Sequence, residues 1–145
     1  MINFAEISEE LHNIIKNDAQ VNDYFNYITR GQTVNQDPGS TPWLGVYRKS
    51  IDYDPHTIGS NRPWKAEVQL TVLVQAASLR NGEDAEIRLE EGVQRVISAI
   101  NNNKNLNDKV LMLTAINVEY AYNPEMSEDM AYQMGEITLT YEVRS

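Results

Sequence analysis

From Lys65 to Ala76 apolar and polar side chains alternate almost without a break: Ala66, Val68, Leu70, Val72, Val74 and Ala76 stand against Lys65, Glu67, Gln69, Thr71 and Gln75, with Leu73 the exception on the polar side. A period of two predicts a strand with one buried face and one mostly wet face. Three further stretches read as strands. Trp43 to Tyr53 puts Leu44 and Val46 on one face and Trp43, Tyr47, Ile51 and Tyr53 on the other. Val110 to Tyr122 lines up Met112, Thr114, Ile116, Val118 and Tyr120, and Met134 to Val143 sets Ile137, Leu139, Tyr141 and Val143 against Glu136, Thr138, Thr140 and Glu142. The Thr and Glu side of that last strand is expected to face solvent.

The helical period appears in three other places. Ile7, Leu11, Ile14 and Ile15 share one face of a first helix, with Asn3 as its cap, Glu6 three residues on, and Ile2 placed to staple onto Ile7. Val21, Tyr24, Phe25 and Ile28 keep the spacing after Asp18, which predicts a second helix ending near Arg30 and Gly31. The longest helix opens at Asn81-Gly82-Glu83-Asp84, carries Ala85, Leu89, Val93, Val96, Ile97 and Ile100 as its stripe, and stops at Asn101-Asn102-Asn103, where left-handed geometry is tolerated. Gly31 to Pro42, Asp54 to Pro63 and the acidic run between the last two strands read as connections.

The order α(α)-β-β-α-β-β predicts an α+β fold: a mostly antiparallel sheet covered on one face by helices, in a single domain over residues 1–145. An apolar fraction of 41% and a charged fraction of 23% suit a folded chain of this length. With 12 Lys and Arg against 21 Asp and Glu the net charge is -9, which repels phosphate backbones and argues against tight nucleic-acid binding. No apolar run approaches the roughly 18 residues of a membrane span, and no leader pattern follows Met1, so a soluble chain that begins natively at Met1 is expected.

The residues offer little for catalysis. There is no cysteine, His12 and His56 show no metal-binding spacing and read as surface residues, and no phosphate-cradling glycine motif occurs. We therefore expect no enzyme, cofactor or metal site, and read the carboxylates Glu83, Asp84, Glu86, Glu90 and Glu91 as a solvated acidic face. Interfaces favour Tyr, Trp and Arg, so the candidate subunit contacts are Trp43, Tyr47, Arg48, Tyr53, His56, Arg62 and Trp64, at the strand ends and along the Asp54 to Pro63 connection.

The segments EELHNIIKNDA, WLGVYRKS, AEVQLTVLVQAAS, EDAEIRLEEGVQRVISAI, LMLTAINVEYAYN and GEITLTYEV, taken in this order, resemble the tail terminator (tail completion) proteins of long-tailed bacteriophages. The likeness spans most of the chain and lies in element order and texture. It implies a hexameric ring of identical subunits at the head-proximal end of the virion tail, assembled in the host bacterial cytoplasm. One ring face would meet the tail tube protein and the other the neck or head-completion protein, with no catalytic residues. Other readings of the same residues are another head–tail connector or minor tail protein, a general α+β interaction domain, and an enzyme built on the acidic cluster with His56.

Overall fold

Asn3 accepts a hydrogen bond from the Glu6 amide at 3.1 Å, and helix α1 (Phe4–Asn17) starts there. Ile2 and Ile7, on either side of this cap, are both buried, as a hydrophobic staple requires. Asp18 ends α1 and opens α2 (Ala19–Tyr24), its carboxylate accepting from the amides of Gln20 and Val21. The structure, a computed structural model, describes residues 2–31, 41–56, 65–78, 82–122 and 131–144.

The second helix is shorter than its apolar spacing predicts. It stops at Tyr24, and Tyr27–Arg30 forms strand β1. Helical spacing over so few residues does not outweigh strand pairing: β1 lies parallel to β2 (Trp43–Tyr53), Tyr27 opposite Trp43 and Arg30 opposite Val46. Strand β3 (Lys65–Ser78), helix α3 (Gly82–Asn101), β4 (Met112–Tyr122) and β5 (Ala131–Arg144) complete the chain. Among the described residues the sheet has five strands in the order β1-β2-β3-β5-β4, antiparallel except for β1 with β2.

The helices cover one face, giving the α+β layer pair expected. All six alternating residues of β3, from Ala66 to Ala76, are buried against Leu11 and Ile15 of α1, Val21 of α2, and Leu89, Val93, Val96 and Ile100 of α3. Each Val, Leu or Ile among them contributes about 1.5–3 kcal/mol when withdrawn from water. Helix α2 is clamped to α3 at Gly92: a Cβ there would stand 2.9 Å from the Phe25 ring and 3.2 Å from Tyr24. The Arg95 guanidinium lies 4.8 Å from the centre of the Tyr24 ring and donates to the Gln20 carbonyl.

Two bulges alter the face assignments read from alternation. In β2 the register shifts between Arg48 and Ser50, so Lys49 is an extra residue. Ile51 and Tyr53 therefore turn to the helix side, opposite Val68 and Ala66, instead of joining Trp43 and Tyr47. In β4 the shift lies between Leu113 and Ala115, and Met112 faces away from Ile116, Val118 and Tyr120. An unpaired extra residue reverses parity beyond it, which alternation alone cannot reveal.

After α3 the left-handed geometry expected at the asparagine run falls later, at three consecutive residues: Leu106, Asn107 and Asp108 have φ of 49°, 53° and 68°. Such a run is costly for L-residues and is held by side chains. Asn103 Oδ1 accepts from the Asn107 amide, Asn107 Nδ2 donates to Glu10 of α1, and Leu106 is fully buried.

Candidate assembly surface

The sheet face away from the helices is a polar lattice. Lys49, displaced by its bulge, reaches across to β5, where Nζ lies 3.4 Å from Thr138 Oγ1 and 3.8 Å from Glu136. Ser50 donates to Gln69 Oε1, and Gln69 Nε2 donates to Thr140 Oγ1. Thr138 and Thr140, expected to face solvent, are thereby covered, each 8% exposed. Beyond them the charges form like-signed rungs: Asp52, Glu67 and Glu142 lie side by side, next to a rung of Lys65 opposite Arg144. On β5 opposite charges meet along the strand, in the 3.4 Å contact of Arg144 with Glu142.

The five described residues among those predicted for subunit contact are not brought together. Trp43 is buried on the bare face at the start of β2, and its Nε1 has no hydrogen-bond partner among the described residues. Tyr47 folds back over Gly45, where a Cβ would lie 2.7 Å from the Tyr47 hydroxyl, and partial burial raises the Tyr47 pKa. Arg48 is exposed but stands on the helix side, beside Ser8 and Arg30. Tyr53 packs against the core. His56 is exposed in a turn where its amide donates to Asp54 Oδ1. Arg62 and Trp64 lie outside the described residues.

His12 is not the surface residue expected. It is half-buried in α1 facing Ile28 of β1, with Nε2 lacking a partner among the described residues. Burial lowers its pKa from 6.5, Lys16 and Arg30 push the same way, and a hydrogen bond with the Ile28 backbone partly opposes them. In α3, Asp84 pairs with Arg88 and Glu91 with Arg95, each four residues apart. Among the described residues no group of three or more His, Asp or Glu side chains is placed to hold a metal, and no helix is long and apolar enough to cross a membrane.

The feature that alternation and composition missed is the outer edge of the sheet. Strand β4 is last in the order, and among the described residues no strand pairs with its outer side. The turn after α3 covers only its start, through the Leu113 amide and the Lys104 carbonyl at 3.1 Å. From Thr114 to Ala121 every residue except the half-buried Val118 is exposed. Met112 is 53% exposed, Ile116 38% and Tyr120 57%, with Leu111 just ahead at 50%. A single carboxylate, Glu119, is the strand's only charge. Natural edges are usually shortened, charged or bent away, so a long apolar edge marks a site of pairing.

No family model matches the chain. No curated protein matches it. Among solved structures it is similar to a chain of the virion of a native gene transfer agent particle, at 11% identity and a TM-score of 0.45, over 99% of this chain and 100% of that one.

Proposed function

We propose that this chain is a structural subunit of a phage-like particle, a tail terminator that forms a ring on the end of the tail tube and joins it to the neck. It works by occupying surfaces and has no catalytic centre. The observation that carries this reading is the unfinished edge: eleven residues of β4 leave Met112, Ile116 and Tyr120 in water, a state that a neighbouring subunit would relieve. The order of elements resembles that of tail terminators, and the chain's charge of -9 suits a ring through which DNA passes without sticking.

Electron microscopy of tail tubes polymerised with and without the purified chain tests the proposal. Rings at one tube end and arrested growth support it. Tubes of unchanged length, with no added density at either end, contradict it.

A further inference from the structure

We infer that the free protein pairs with a second copy of itself through β4, the two strands running antiparallel about a two-fold axis at Val118.

The geometry leaves few alternatives. In an antiparallel pair, directly opposite residues share a face, so the axis must pass through a residue and not between two. An axis at Glu119 sets that carboxylate against its own copy, and like charges directly opposite repel. An axis at Asn117 sets Ala115 against Glu119 and drives Tyr120 onto Thr114, the extra residue of the bulge. An axis at Val118 avoids both. Ile116 then faces Tyr120 on each side of the axis, and aromatic and β-branched partners are a favourable cross-strand combination. Asn117 faces Glu119, so each carboxylate meets an amide donor, and Ala115 faces Ala121. Of these three registers only the one centred on Val118 matches charge and shape along the strand, and in it β4 is complementary to its own copy. The other edge cannot serve equally, because β1 has only four residues and ends on exposed Arg30.

Seven paired residues span about 24 Å of strand, and an interface of that size belongs to the weak, reversible class. The pairing itself does not depend on the proposed function. Its consequence rests on that reading: a ring with two different faces cannot contain a two-fold contact within its plane. Dimer and ring would thus compete for β4, and the dimer is a resting form that covers the edge until assembly.

The chain has no cysteine, which makes the test clean. Opposite residues of an antiparallel pair have Cα atoms about 4.5–5.5 Å apart, within disulfide range. Val118→Cys, under mild oxidation, is expected to give a covalent dimer about tenfold faster than Asn117→Cys or Glu119→Cys alone, because only at the axis is a thiol held opposite its copy. A mixture of the Asn117→Cys and Glu119→Cys proteins should cross-link to each other. Equal rates for Val118→Cys and Asn117→Cys would overturn the pairing.

The oxidised Val118→Cys dimer is then added to growing tubes. It should fail to cap them until reduced; capping by the covalent dimer would overturn the resting role. Rings without selective cross-linking refute the dimer and leave the ring intact. Selective cross-linking with no capping after reduction, and none by the unmodified chain, retains the dimer and refutes the ring.

Discussion

Lys49 in β2 and Thr114 in β4 are each the extra residue of a bulge, and both bulges abut a single rung of the sheet. Ser50, just after Lys49, pairs with Gln69; Gln69 pairs with Thr140; and Thr140 pairs with Ala115, just after Thr114. The two strands that flank the regular central pair β3 and β5 thus change parity at the same height. This packs Ile51 and Tyr53 against the core at one flank and exposes Met112 on the opposite face from Ile116 at the other.

Removing Lys49 should remove the parity change. Either the half-buried Ile51 and Tyr53 lose their place against the core or the fully buried Leu44 and Val46 do, and exposing the latter pair costs about 3–6 kcal/mol. Urea unfolding of the deletion variant is expected to show a midpoint far below that of the parent. An unchanged midpoint would mean that the bulge does not set the faces.

Two glycines should respond in opposite ways to alanine. At Gly92 the helix propensity gained, about 1 kcal/mol, competes with a Cβ 2.9 Å from the buried Phe25 ring, and overpacking typically costs about 1–3 kcal/mol. Gly92→Ala should therefore destabilise. At Gly135 a Cβ would meet Val93 at 3.4 Å, Leu89 at 3.6 Å and Tyr120 at 3.7 Å. Gly135→Ala is expected to be neutral or to stabilise by about 0.5 kcal/mol through the unfolded chain. Thermal unfolding of both variants checks the contrast.

Elements set by local chemistry were legible in the sequence, and elements set by distant partners were not. The alternation from Ala66 to Ala76 and the caps at Asn3 and Asp18 depend on neighbours along the chain, and they appear where the pattern puts them. Strand β1 exists because Tyr27 to Arg30 pairs with β2, across sixteen residues at each rung, and its own residues carry helical spacing instead. The bulges are similarly non-local, so Tyr53 was placed on the wrong face. Aromatic and arginine content pointed to the ends of β2. Exposure in the fold is not written in content or alternation, and among the strands it falls on β4, at Ile116 and Tyr120.

The left-handed run offers a stabilising change. Asp108, at φ 68°, accepts from Asn105 Nδ2 at an exposed position. Left-handed geometry costs a non-glycine residue about 1–2 kcal/mol, while an exposed hydrogen bond contributes about 0.5 kcal/mol. Asp108→Gly should raise the melting temperature by a few degrees. Leu106→Gly relieves the same kind of strain but forfeits a fully buried side chain, about 2–5 kcal/mol, and should lower it. Calorimetry on the two variants decides.

His12 has a pKa lowered by burial, so the folded state binds fewer protons than the unfolded state as pH falls below 6.5. Above that pH both states hold the neutral form, and stability is lost as pH drops from there through the lowered value. Titration by NMR should place His12 below 6.5, and His12→Gln should flatten the decline in stability between neutral and mildly acidic pH. A variant with the parent's full pH dependence would contradict the assignment.

The central claim is that the chain acts by self-association through the open edge of β4. Sedimentation velocity over a wide concentration range tests it most directly, comparing the parent with an Ile116→Lys, Tyr120→Lys double variant. Because both side chains are exposed, the variant should keep the parent's circular dichroism. The parent is expected to shift to larger species as concentration rises, and the variant to sediment as a monomer throughout. Identical behaviour of the two proteins at every concentration would contradict the claim.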